Sequence, residues 1–128
     1  MKFVGFYRDV KQAYVSAEKS DLPALLDQPR SNDSHLIERL ARYLDGGHQL
    51  GSKLGWSNDV FKPELRTSLE TITDGEWVWP ADAAYYCTEY RILPPNREFI
   101  SKVVAHEGNC PHPDAMAIKT VEDELYGQ

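Results

Sequence analysis

Cysteine is scarce in this chain. Only Cys87 and Cys110 occur among its 128 residues, too few to build a disulfide framework. The first ten residues, MKFVGFYRDV, carry one lysine but no apolar stretch or small-residue cleavage site, so a signal peptide is not expected. Both cysteines are therefore expected as free thiols of a reducing cytoplasm. No apolar run is long enough to span a bilayer. Positive charge is also short: 14 Lys and Arg stand against 20 Asp and Glu, a formal net charge of −6. Nucleic acid and anionic membrane surfaces both select dense positive charge, so neither is an expected partner.

Signatures of catalysis and metal binding are thin as well. His106, Cys110 and His112 fall within seven residues beside Glu107, all of them zinc-binding types. No CxxC or HxxxH pair accompanies them, and a fourth ligand would have to come from far along the chain; a helix-capping histidine and loop residues explain the group. A Cys–His nucleophile pair would draw on Cys87 or Cys110 with His48, His106 or His112. Cys87 falls on the inward side of a helix, where thiols are inert, and Cys110 has no positive neighbour to lower its pKa. The stretch GGHQLGSK (46–53) ends in Gly-Ser-Lys rather than the Gly-Lys-Ser/Thr of a phosphate loop, and no clear strand precedes it. Glu70, Glu76, Asp82 and Glu89 offer carboxylates for acid–base work, but nothing places two of them at a defined separation. No catalytic, metal or cofactor residue is assigned.

What is present fits one domain, residues 1–128. A hydrophobic content of 41% with 11% aromatic residues can fill a core. Lys2–Tyr7 is apolar on both sides, as in a central strand covered on both faces. Between residues 11 and 33, Ser20 or Asp21 can cap a short helix running to Leu26, with Pro23 in its first turn. Ser34–Asp45 is the clearest helix: Ser34 as N-cap, Leu36, Ile37, Leu40, Ala41 and Leu44 as one apolar stripe, and Gly46-Gly47 as the stop. His48–Phe61 reads as irregular or partly helical, because Gly51 and Gly55 each weaken a helix by about 1 kcal/mol. Trp56, Val60 and Phe61 are expected to return to the core.

Thr67–Trp79 reads as a β-hairpin turned at Asp74-Gly75, a two-residue type I′ signal. That turn sets Ile72 opposite Trp77 and Thr71 opposite Val78. Ile72, Trp77 and Trp79 then face the core, while Thr71, Thr73, Glu76 and Val78 face out. Pro80 is suited to open a helix with Asp82 in its first turn. On that helix Ala83, Tyr86, Cys87 and Tyr90 share the inward face, and Asp82, Tyr85 and Glu89 the outward one. Asn96–His106 forms a further helix with Phe99, Ile100, Val103 and Val104 inward and Gly108 as its stop. A weakly helical tail follows over Ile118–Tyr126. The expected class is α+β, a small antiparallel sheet (the N-terminal strand plus the hairpin 67–79) packed against three to four helices.

One segment stands apart. Residues 67–90 hold two of the three tryptophans, three of the seven tyrosines, five carboxylates and no Lys or Arg, which accounts for five of the six units of net negative charge. Once Trp77, Trp79, Tyr86 and Tyr90 are assigned inward, the remainder is an acidic outer side with Tyr85 on it. Carboxylates steer basic partners, and tyrosine is favoured at binding hot spots. The expected partner surface is Glu70, Asp74, Glu76, Val78, Asp82, Tyr85 and Glu89.

The run Thr73-Asp74-Gly75-Glu76-Trp77-Val78-Trp79-Pro80-Ala81-Asp82, followed by Tyr85-Tyr86, resembles a group of small bacterial proteins. These carry the pattern TDGxWxWxxDxxYY and then a proline-led C-terminal helix; Cys87 departs from it, since the group has an aliphatic residue there. The similarity is best over residues 34–106. The resemblance implies an immunity protein or a neighbour of polymorphic toxins. Taken with the acidic side and the lack of a secretion signal, the expectation is a cytoplasmic protein without a cofactor that occludes a cognate toxin, its partner a basic toxin domain. The alternative is a small-molecule-binding domain or enzyme with an aromatic pocket lined by Trp56, Trp77 and Tyr90.

Overall fold

The computed structural model of the chain describes residues 2–7, 33–50, 56–68 and 70–126. The short helix expected from Ser20 or Asp21 to Leu26 lies outside them. In chain order the elements are β1 (Lys2–Phe3), α1 (Ser34–Asp45), β2 (His48–Leu50), β3 (Trp56–Asn58), β4 (Arg66–Ser68), β5 (Thr71–Thr73), β6 (Trp77–Pro80), α2 (Asp82–Tyr90), α3 (Arg97–Ala105) and α4 (Ala115–Tyr126). Four strands form one sheet in the order β1-β6-β5-β2, and β3 pairs with β4 in a separate ribbon. The class is α+β. Among the described residues, no helix is long and apolar enough to cross a membrane.

The hairpin β5–β6 forms the middle of the sheet, but its register is not the one a two-residue turn dictates. Thr73 pairs with Val78, Ile72 with Trp79 and Thr71 with Pro80, an offset of two residues. Side-chain hydrogen bonds hold the wider turn. Asp74 Oδ1 accepts from the backbone N–H of Glu76 at 2.9 Å and of Trp77 at 2.7 Å. Thr73 Oγ1 accepts from Gly75 N–H at 3.0 Å and donates to the Trp77 carbonyl at 2.7 Å. Only Gly75 has positive φ, 101°, whereas a type I′ turn needs it at both central residues. An offset of two preserves which side chains share a face, so Ile72 and Trp79 still point into the core together.

Both faces of the sheet are covered. On one side Ile37, Leu40, Tyr43 and Leu44 of α1, Ala83, Ala84 and Cys87 of α2, and Phe99 and Val103 of α3 pack with Ile72, Trp77 and Trp79. On the other, Val78 packs with Phe6, Leu50, and Val121 and Leu125 of α4. Among the described residues β1 lies at the edge of the sheet, and it runs parallel to β6 with Lys2 beside Trp77. The sheet is therefore mixed, and among the described strands the N-terminal one is outermost rather than central. Its continuation is still buried, through Val4, Phe6 and Tyr7.

α1 keeps its expected span and takes its cap one residue earlier. Asp33, in extended conformation, accepts from Leu36 N–H, which satisfies one of the orphan donors of the first turn. Tyr43 joins the buried stripe. Gly46 ends the helix in right-handed conformation, so the stop does not rest on a left-handed glycine. Gly47 answers to a different constraint: a Cβ there would lie 2.4 Å from Ile72 Cγ2 and 2.8 Å from Trp79 Cζ2. The chain passes that close in order to place β2 antiparallel against β5, a strand where an irregular or helical path was expected.

Pro80 belongs to β6, and α2 starts at Asp82 with Ala81 as its N-cap. Thr67 belongs to β4, which pairs with β3 rather than with the hairpin. α3 is capped by Asn96, whose side chain accepts from Phe99 N–H. Val104, expected inward, is exposed, whereas Phe99 and Val103 are buried. Trp56 is not in the core either: it is 51% exposed, because β3 pairs in the outlying ribbon. Val60 and Phe61, just beyond that ribbon strand, do pack inward against Tyr7, Tyr86 and Ile92.

Candidate functional site

The seven residues expected to meet a partner are divided by the fold. Val78 is 0% exposed, because α4 covers the face the hairpin was expected to show to solvent. Asp74 is buried under the turn it braces, where Oδ2 also accepts from the Tyr43 hydroxyl and from Lys102 Nζ at 3.0 Å. Asp82 is buried at the start of α2, with Thr67 Oγ1 at 3.3 Å. These three take no part in an outer surface. Glu76 is exposed but held by Lys2 at 3.2 Å and Lys102 at 2.9 Å. Those two hydrogen-bonded ammonium groups keep its carboxyl below the ordinary glutamate range. Glu70 is half-buried and Glu89 exposed.

Tyr85 is half-buried and does not stand free in water. Its hydroxyl donates to Asp59 Oδ2 at 2.5 Å, and the Tyr90 hydroxyl reaches the same oxygen at 2.6 Å. Asp59 Oδ1 accepts from the backbone N–H groups of Phe61 at 2.7 Å and Lys62 at 3.1 Å. Burial by itself raises the Asp59 pKa, but the four hydrogen bonds from Tyr85, Tyr90, Phe61 and Lys62 outweigh it and leave the group below its ordinary value. Asp59 thus ties the end of the ribbon to the outward side of α2.

That shift has a pH consequence. A carboxyl whose folded pKa is depressed adds stability above its unfolded pKa, about 3.9, and loses it as pH falls through the folded value. Asp59→Asn should therefore be clearly less stable than the native chain at pH 7, and the gap should close as pH falls below about 4. Urea midpoints measured from pH 7 to 3 check this; a gap that widens at low pH would show the sign to be wrong.

The ribbon itself presents the most exposed large aromatic ring of the described residues. Ser57 and Thr67 face inward, so Trp56, Asn58 and Arg66 face out. The Arg66 guanidinium lies over the Trp56 ring, 4.2 Å from its centroid, a cation–π stack that holds both side chains outward. Exposed Leu65 precedes Arg66. The Asp59 latch ties Tyr85 to the end of this ribbon, and Glu89 follows one helical turn beyond Tyr85. Arg66 and Asp59 carry no signal in the sequence, and Trp56, expected in the core or in a pocket, stands outside instead, since only strand pairing relates Trp56 to Arg66.

The other candidates do not assemble. Trp77 packs edge-on to Phe99 at 5.4 Å, Tyr90 lies against Phe61 at 4.8 Å, and Trp56 is outside, so the three rings do not line one cavity. Burial pushes the Cys87 thiol up to about 12, and burial with the nearby Asp74 pushes Cys110 up to about 11. Both shifts disfavour a nucleophilic thiolate. Among the described residues no group of three or more His, Cys, Asp or Glu is placed to hold a metal ion. No protein-family model matches the chain, and no curated protein or solved structure matches it significantly.

Proposed function

We propose that this chain is an immunity-type binding protein, one that neutralises a cognate bacterial toxin domain by covering part of its surface. The observation that carries the reading is Trp56 held outward beneath Arg66 on the β3–β4 ribbon. Tryptophan and arginine are the residue types most enriched at binding hot spots, and a ring already fixed by stacking loses little freedom on binding. The resemblance of residues 73–90 to the TDGxWxWxxDxxYY group supports the toxin-directed class. Tyr85 is latched to the end of the same ribbon, and Glu89 and Glu70 are the carboxylates of residues 67–90 left neither buried nor ion-paired among the described residues. With a net charge of −6, they favour encounter with a basic domain.

The test starts from the gene immediately upstream of this chain's own: a large secreted protein with a short basic C-terminal domain is expected there, and that domain is the partner for rescue and binding. Co-expression should protect cells from that domain. Trp56→Ala should weaken binding by about 2 kcal/mol, roughly thirtyfold in Kd, mainly through faster dissociation. Glu89→Lys should instead slow association and leave dissociation nearly unchanged. Failure of the native chain to protect, or an unchanged Kd for Trp56→Ala, would sink the reading.

A further inference from the structure

Beneath the ribbon, Ser57, Thr67 and Asp82 are enclosed together, and the buried Tyr7 lies near enough to Asp82 to feel its charge. Ser57 and Thr67 are cross-strand partners facing inward, with Ser57 1% exposed. Thr67 Oγ1 contacts the carboxylate of Asp82 at the first residue of α2. Tyr7 is 0% exposed, and its ring stands edge-on to Tyr86 at 6.0 Å. Burial first, then the neighbouring Cys87, Asp82 and Tyr86, raises its pKa well above the ordinary tyrosine value. The hydroxyl is therefore neutral and can donate.

Among the described residues, neither Tyr7 Oη nor Ser57 Oγ has a hydrogen-bond partner. A buried hydroxyl left this way carries its full desolvation cost, and buried polar groups in folded proteins are overwhelmingly bonded to protein or to ordered water. We propose that Tyr7 Oη and Ser57 Oγ bind a structural water molecule, within reach of the Asp82 carboxylate, that joins the N-terminal segment, the ribbon and α2. Water suits this donor set because it accepts from hydroxyls and donates to a carboxylate, using the three or so bonds typical of an internal water. A cation would be served less well, since among the described residues the Asp82 carboxylate is the one charged ligand named at this place. The water would fix the inner side of the ribbon whose outer side carries Trp56, independently of what Trp56 binds.

Urea unfolding of Tyr7→Phe, Ser57→Ala and the double variant tests this. If the water bridges them, each single change leaves a bond of the bridge unmade and lowers the folding equilibrium constant about tenfold. The double variant should then fall well short of the roughly hundredfold product, because the pair acts as one unit. If the site is dry, removing an unmet hydroxyl leaves stability unchanged or raises it, and the proposal fails; a strictly multiplicative double variant overturns it too. A crystal structure of the native chain identifies the occupant. Density for one water within hydrogen-bond distance of both hydroxyls is expected. A protein partner for each hydroxyl, or a cation bound there instead, would overturn the assignment.

Discussion

Asp74→Ala is expected to cost the fold about 3–5 kcal/mol, the loss typical of removing one partner from a buried ion pair. Its side chain is fully enclosed, and four donors converge on it. Oδ1 closes the hairpin turn through the N–H groups of Glu76 and Trp77. Oδ2 takes the Tyr43 hydroxyl from α1 and the Lys102 ammonium from α3. One carboxylate therefore joins the turn to two helices, and alanine strands all four donors at once. Asp74→Asn should lie in between, because an amide oxygen can still brace the turn while the charge facing Lys102 is gone. Glu76→Gln, on the exposed side of the same network, should cost no more than about 1 kcal/mol. Chemical denaturation of the three variants checks the order. Asp74→Ala no worse than Glu76→Gln would mean that the network contributes nothing in the interior.

A loss of similar size, about 3–5 kcal/mol, is expected for Trp79→Ala. The indole is completely buried, with Tyr43 at 5.9 Å and Phe99 at 5.6 Å between ring centroids. Its Nε1–H donates to the Leu44 carbonyl at 2.9 Å, one of the last carbonyls of α1, which find no partner within their own helix. The substitution therefore opens a cavity between sheet and helices and uncaps α1 in one step. Trp79→Phe keeps most of the ring volume but leaves that carbonyl without its donor, and should cost less. Trp56→Ala is the contrast: on the exposed ribbon it should shift stability by no more than about 0.5 kcal/mol, even though it is the change expected to matter for binding. Denaturation midpoints for the three separate the roles, and an equal loss at Trp56 and Trp79 would contradict the assignment of one to the surface and the other to the core.

Most of the elements were legible, because their signals are local. Capping side chains, apolar spacing and the stop at Gly46-Gly47 act within a turn or two, and they located α1 to the residue and α3 to within one residue at each end. The DG pair located the turn. It could not reveal that Asp74 and Thr73 side chains would widen that turn and move the register by two, since their bonds compete with the backbone preference of a two-residue loop. The same turn chemistry drew Asp74 out of the expected partner surface. Val78 was misplaced for a longer-range reason. Strand alternation correctly set it opposite Trp77 and Trp79, but only the docking of α4 turned that second face into core.

The sequence alone determined the class, α+β with a hairpin turned at Asp74-Gly75 and its tryptophan face toward the core, because hydrophobic periodicity and turn residues decide local structure wherever it folds. It also determined that the chain carries excess negative charge. The tertiary structure decided where that charge is spent. Asp74 and Asp82 are interior braces, Glu76 is neutralised by Lys2 and Lys102, and Tyr85 is latched to Asp59. It likewise sent Trp56 outward under Arg66, although composition treats all tryptophans alike. Burial is a property of what packs over a residue, and the covering groups come from elements distant in the chain, so no local pattern around a carboxylate or an indole can state which side of it will be wet.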